Sequence, residues 1–217
     1  MSQEVQAKPK AGRARPRRSI KLAVPAGVRL RISDQDFWKL CAENPDLRLE
    51  RTEKGVVEIM SPTSGATGNR NADLTAQLMV WSKIDGTGLA FDSSTGFKLP
   101  NGATRAPDGS WVRKERWERL TTKEKEETFV PLCPDFAIEL RSRSDEKKDK
   151  KKEKVRNKMR TYVSQGARLG WLIDPIDGTV EIYRPGQPVE TLVKPATLSG
   201  EDVLPGFVLD LRGILFD

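Results

Sequence analysis

The sequence predicts a mixed α/β domain in which a central β-sheet is flanked by helices. Three observations carry this: apolar runs of strand length recur along the chain, helical patterns are interleaved with them, and there is no internal repeat. With 217 residues, 36% hydrophobic and 32% charged, the chain suits one domain with a single modest core plus any tail it carries.

Residues 1–22 read as a disordered basic tail and residues 23–217 as the single domain. Lys8, Lys10, Arg13, Arg15, Arg17 and Arg18 stand against Glu4, a net +5 out of the total +7. Pro9, Gly12 and Pro16 leave this segment no core-forming pattern. It suits a non-specific nucleic-acid arm or a solubilising extension equally. Ser33 with Asp34 starts a helix whose Phe37, Leu40 and Cys41 recur at helical spacing. "LRLERT" and "GVVEIMS", joined through Glu53-Lys54-Gly55, predict a hairpin. "SPTSGATG" reads as a loop, and Leu74, Leu78 and Trp81 then mark a helix from about Asn69 to Lys83. "LAFDSSTGFKLP" holds two short strands, and "APDGSWV" a third beginning after Pro107. Residues 115–128 form a charged surface helix or loop. "DFAIELRS" is a strand, and "DEKKDKKKEKVRNKMRTYVSQG" a long helix stopped at Gly166. "LGWLIDP", "TVEIYRPG" and "DVLPGFVLDL" close the chain as apolar segments.

Histidine is absent, which excludes Ser-His-Asp and Cys-His hydrolysis and every zinc site built on imidazole. Cys41 and Cys133 lack metal-ligand spacing and read as buried thiols. Neither a phosphate-loop nor a dinucleotide-binding glycine motif is present. No apolar run spans a bilayer and no signal-like segment leads the chain, so the expected location is the cytoplasm, away from membranes.

Chemistry must therefore rest on carboxylates, lysines, hydroxyls or a bound metal. In the strand beginning at Asp135, side chains alternate, so Asp135, Ala137, Glu139 and Arg141 share one face and Phe136, Ile138 and Leu140 share the core face. Asp135 and Glu139 are then about 13 Å apart at 3.3 Å per residue. One Mg²⁺, with ligands near 2.0–2.1 Å, cannot take both. The second carboxylate has to come from another strand, and Asp108 of "RAPDGSW" is the candidate, although Asp in such a context also serves as a plain turn residue. Arg141 is too basic to act as a base and would be an electrostatic aid. On the next helix Val155, Met159, Tyr162 and Val163 mark a buried stripe, with Lys158 at its border one turn before Tyr162. Trp81 and Trp171 fall in apolar patterns, whereas Trp111 and Trp117, near Asp108 in sequence, are candidates for substrate contact.

The ordered set "LRLERTEKGVVEIMSPTSG", "FDSSTGFKLPNG", "RAPDGSWV", "CPDFAIELRSRSD", "KMRTY", "GARLGWLIDP" and "SGEDVLPGFVLDL" resembles the bacterial Uma family of candidate restriction endonucleases, in the PD-(D/E)xK nuclease superfamily. The resemblance runs from roughly Leu30 to the C-terminus. It implies a restriction-endonuclease-like fold and Mg²⁺- or Mn²⁺-dependent cleavage of nucleic acid, DNA before RNA. It places Asp108 and Glu139 on the metal with the backbone carbonyl of Leu140. The superfamily's lysine would fall at Arg141, and the resemblance moves its role to Lys158, with Glu50 as an assisting acid. A histidine that the family often carries after the "SPTSG" loop is replaced here by Asn69. Arg13, Arg15, Arg17, Arg18 and Arg141 are the expected nucleic-acid contacts, and a homodimer is compatible with this reading. Two other classes fit the same residues: a nucleic-acid-binding protein of this fold that does not cut, and an interaction domain in which Glu139 merely pairs with Arg141 or Lys158.

Overall fold

A computed structural model describes residues 30–142 and 148–216, without the side chains of 148–151. The predicted tail lies outside these residues. Helix α1 (Asp34–Glu43) begins where the Ser33 side chain accepts the Asp36 N–H, and it buries Phe37. Strands β1 (Arg48–Arg51) and β2 (Val57–Met60) make the predicted hairpin. Gly55 turns it at φ 76°, a conformation that costs glycine little. Strands β4 (Phe97–Lys98) and β5 (Thr104–Arg105) extend the hairpin into a small sheet of order β2-β1-β5-β4. Strand β5 carries no local signal, because two residues are too few to show alternation.

Helix α2 (Gly65–Asp85) starts four residues before the expected Asn69. Ser64 caps it by accepting the Thr67 N–H, so the glycines that suggested a loop are its first turn. Strands β3 (Gly88–Asp92), β6 (Gly109–Arg113), β7 (Phe136–Leu140), β8 (Leu169–Asp174), β9 (Thr179–Tyr183) and β10 (Glu190–Val193) form the main sheet, order β10-β9-β8-β7-β6-β3. Among the described residues only β7 and β8 pair in parallel within it, and helix α5 (Lys148–Ser164) makes the crossover that a parallel pair requires. The charged stretch after β6 holds two short helices, α3 (Lys114–Glu118) and α4 (Thr122–Glu126). Strands β11 (Thr197–Ser199) and β12 (Val208–Asp210) form a ribbon near the C-terminus. No helix among the described residues is long and apolar enough to cross a membrane.

Strand β7 departs from the expectation of a single apolar face, for all five of its residues are buried. Phe136, Ile138 and Leu140 pack with Leu74 and Leu78 of α2 and with Phe207 and Leu209. Ala137, on the opposite face, packs with Met159 and Tyr162 of α5. A strand covered by helices on both sides has no solvent face, so Glu139 is forced inside. Trp111 is also buried, its ring 5.9 Å from that of Trp81, which removes it as a substrate contact. Cys133 is buried as expected, while Cys41 is half-buried.

Gly88 shows how tightly β3 and β6 meet. A Cβ at this position would lie 2.2 Å from the Trp111 ring and 2.5 Å from the Val112 carbonyl oxygen. Trp111 cannot retreat without displacing Trp81, so Gly88→Ala should destabilise the fold by about 1–3 kcal/mol. Urea unfolding of the variant measures this, and an unchanged midpoint would contradict the close approach.

Candidate active site

Antiparallel pairing sets Gly109 of β6 opposite Ile138 of β7, so the residue before Gly109 and the residue after Ile138 also face one another. These are Asp108 and Glu139. Asp108 Oδ2 accepts the Leu140 N–H at 2.8 Å, which fixes the carboxylate against the end of β7. Both acids line a cavity of about 340 Å³, together with Glu50, Leu140 and Lys158.

The third component comes from α5, whose buried stripe packs on the Ala137 face of β7. Lys158 Nζ lies 2.8 Å from Glu139 Oε1 and 3.0 Å from Glu50 Oε1. One turn later, Tyr162 donates its hydroxyl to Glu139 Oε1 at 2.9 Å. Both bonds go to Oε1, so neither occupies Oε2. Glu50 belongs to β1, where it stands directly opposite Glu58 of β2, a like-charge pair that would destabilise the hairpin on its own. Arg105 of β5 resolves the conflict by pairing with Glu50 at 2.9 Å and Glu58 at 2.7 Å. Lys154 meets the other oxygen of Glu58 at 3.0 Å. Charges thus alternate along a file from Glu139 through Lys158, Glu50, Arg105 and Glu58 to Lys154.

The two inner glutamates respond oppositely to this setting. Burial raises the affinity of Glu50 for its proton, but Lys158 and Arg105 more than offset it and hold the carboxyl below its ordinary value. Glu139 is dominated by burial, only partly opposed by Lys158 and reinforced by Asp108 and Glu50, and is pushed up to about 7. Asp108 is also raised by burial, against the opposing effects of the Leu140 N–H and Lys158. Burial alone would lower Lys158, but Glu139 and Glu50 reverse this and hold its ammonium above the ordinary value. The lysine is therefore a fixed cation, while the two acids nearest the cavity are short of positive charge.

Asp108, Glu139, Lys158 and Glu50, the set that the family resemblance implied, thus line one cavity with Leu140 at its wall. Asp135 is not among them. It accepts the Arg113 N–H and pairs with Arg116 beyond the start of β7, which agrees with its expected separation from Glu139. Arg141 does not serve as an accessible nucleic-acid contact. It is buried, and Asp174 at 2.7 Å and Asp177 at 3.2 Å hold its guanidinium on the β8 side. Asn69 is exposed and outside the cavity, where Thr67 and Asn71 of the same helix stand instead. Arg13, Arg15, Arg17 and Arg18 lie outside the described residues. Sequence reasoning missed Arg105, Asn71 and the Tyr162 hydroxyl as parts of the site. Tyr162 alone had a signal, its spacing one turn from Lys158.

Among the described residues no group of three or more His, Cys, Asp or Glu side chains is arranged as a metal cage. A closed structural zinc site is therefore a poor match. Two electron-rich carboxylates in a small polar cavity fit a hard cation of the Mg²⁺ type, which binds through one or two carboxylates and keeps several waters.

A family model described as "Uma2: Putative restriction endonuclease" matches residues 34–212. The fold is similar to a crystal structure from Anabaena variabilis described as a putative nuclease belonging to DUF820, with a TM-score of 0.68 and 22% identity. The similarity covers 85% of this chain and 97% of the other. No curated protein matches the chain.

Proposed function

The chain belongs to the Uma2 family, described as a putative restriction endonuclease, and from that premise we propose that it is a Mg²⁺- or Mn²⁺-dependent endonuclease that hydrolyses phosphodiester bonds, with DNA as the first substrate to test. The observation that carries this reading is the meeting of Asp108, Glu139 and Lys158 at one cavity, from the residue before β6, from β7 and from α5. Asp108 and Glu139 would hold the cation, with the Leu140 carbonyl as a further oxygen. When bound, such a cation polarises the phosphoryl oxygen and lowers the pKa of water. Lys158 keeps its proton, so it donates to the oxygen of the attacking water or to a phosphoryl oxygen on which charge develops, and does not serve as the base. Glu50, anchored by Arg105, holds Lys158 against Glu139. Tyr162 fixes the carboxylate from the same helix.

Purified protein incubated with supercoiled plasmid should nick or linearise it with Mg²⁺ or Mn²⁺ and leave it intact with chelator. Retention of DNA without cutting under every metal condition would instead mark a binding protein of this fold. The rate should also depend on pH. Below about 7 Glu139 carries a proton and is a poor cation ligand, and above it the carboxylate is charged. At limiting Mg²⁺ the cleavage rate should rise roughly tenfold per pH unit up to about neutrality and then level off. A rate that is flat or falls between pH 5.5 and 7 would contradict the role given to Glu139.

A further inference from the structure

Asn71 stands on α2 beside Asp108, one turn after the pocket-facing Thr67. Its Nδ2 lies 3.4 Å from Asp108 Oδ1. The reverse orientation of the amide would set two acceptor oxygens against each other, so the carboxylate decides which way the group points. Oδ1 is consequently directed away from Asp108, and it is buried with no hydrogen-bond partner. Of the buried side-chain atoms without a partner among the described residues, it is the one whose residue lines the carboxylate cavity. The Thr67 hydroxyl, one turn away, bonds with Ser64 Oγ at 3.1 Å and not with this oxygen. A buried acceptor without a partner in the chain calls for a donor from outside it, and the cavity that Asn71 lines beside Asp108 gives one a way in.

We propose that Asn71 is a positioning residue of the cation site: its amide nitrogen steadies Asp108, and its amide oxygen accepts a hydrogen bond from a water of the hydrated cation that Asp108 holds. This rests on the reading of the cavity as a cation site and adds to it a residue of α2. A small hydrated cation suits the arrangement, because Mg²⁺ and Mn²⁺ retain waters that need acceptors. Groups that orient such waters from one shell out govern affinity almost as strongly as the ligands do.

The test is calorimetric titration of Mn²⁺ into the full chain at pH 8 without nucleic acid. Parent, Asn71→Ala, Asn71→Gln and Asp108→Asn are compared, with near-UV circular dichroism to establish the fold. Alanine suits a helix, so Asn71→Ala should keep its structure. It should bind Mn²⁺ about 10–100-fold more weakly. Asn71→Gln, which keeps both the donor nitrogen and the acceptor oxygen without adding a charge, should recover most of that affinity. If Asn71→Ala binds as the parent does while Asp108→Asn does not bind, the role of Asn71 is overturned and the cation site stands. If Asn71→Gln is as weak as Asn71→Ala, the amide is not what matters and the proposal fails. A parent that takes up no Mn²⁺ overturns this inference and the cation reading together.

Discussion

Asp108→Asn is expected to lower Mg²⁺-dependent cleavage at least about a thousandfold while leaving the fold intact. The substitution keeps the shape of the side chain and an oxygen able to accept the Leu140 N–H, so the end of β7 is still held. What it removes is a negative charge facing the cavity. A Lewis acid supplies several kcal/mol of transition-state stabilisation, and each 1.36 kcal/mol is a factor of ten in rate. Glu139→Gln should behave alike, because its amide oxygen can still receive Lys158 and Tyr162. Groups that act as a unit lose activity together, so the double variant should be scarcely worse than either single one. Nicking rates of supercoiled plasmid measure all three. Cleavage within tenfold of the parent in either single variant would remove that acid from the reaction.

Lys158→Met should combine loss of cleavage with a large, pH-dependent loss of stability. The ammonium sits between two buried carboxylates, of which Glu50 retains Arg105 while Glu139 is left with only the Tyr162 hydroxyl. Breaking a buried ion pair from one side costs about 3–5 kcal/mol. Lys158, raised in the fold, contributes its stabilisation throughout the neutral range and would lose it only at strongly alkaline pH. Glu139 has the opposite sign. Its folded pKa lies above that of an ordinary carboxyl, so the native state holds more protons than the unfolded chain from about pH 4.5 to 7, and stability falls as pH rises through that window. In the methionine variant this fall should steepen, giving the largest deficit near pH 8 and a much smaller one near pH 5. Urea unfolding at both values provides the measurement. A deficit below about 1 kcal/mol at pH 8 would mean that the pair is worth no more than a surface contact.

The order of elements and the separation of Asp135 from Glu139 were legible because both follow from periodicity within one segment. The partnership of Asp108 with Glu139 needed the family pattern, since only strand pairing brings them opposite and pairing leaves no local trace. Arg141 shows the same limit in reverse. It was placed correctly on the face of Glu139, but in parallel register Leu140 lies beside Ile173, which brings Asp174 alongside to capture it. Asn71 was hidden by a boundary error of four residues. With α2 started at Gly65, Thr67 and Asn71 come one turn apart on the cavity side, whereas a start at Asn69 conceals that phase. Arg105 could not be found locally, because its purpose is to separate two glutamates whose opposition exists only once the hairpin is closed.

The file of alternating charges from Glu139 to Lys154 constrains how this sequence can change over generations. Neutralising one member strands its neighbour, and in contact networks such costs do not add. Drift at positions 50, 58, 105 and 158 should therefore proceed by matched exchanges. Related lineages would carry either the whole alternation or an apolar replacement of adjacent members, and few intermediates with one charge missing.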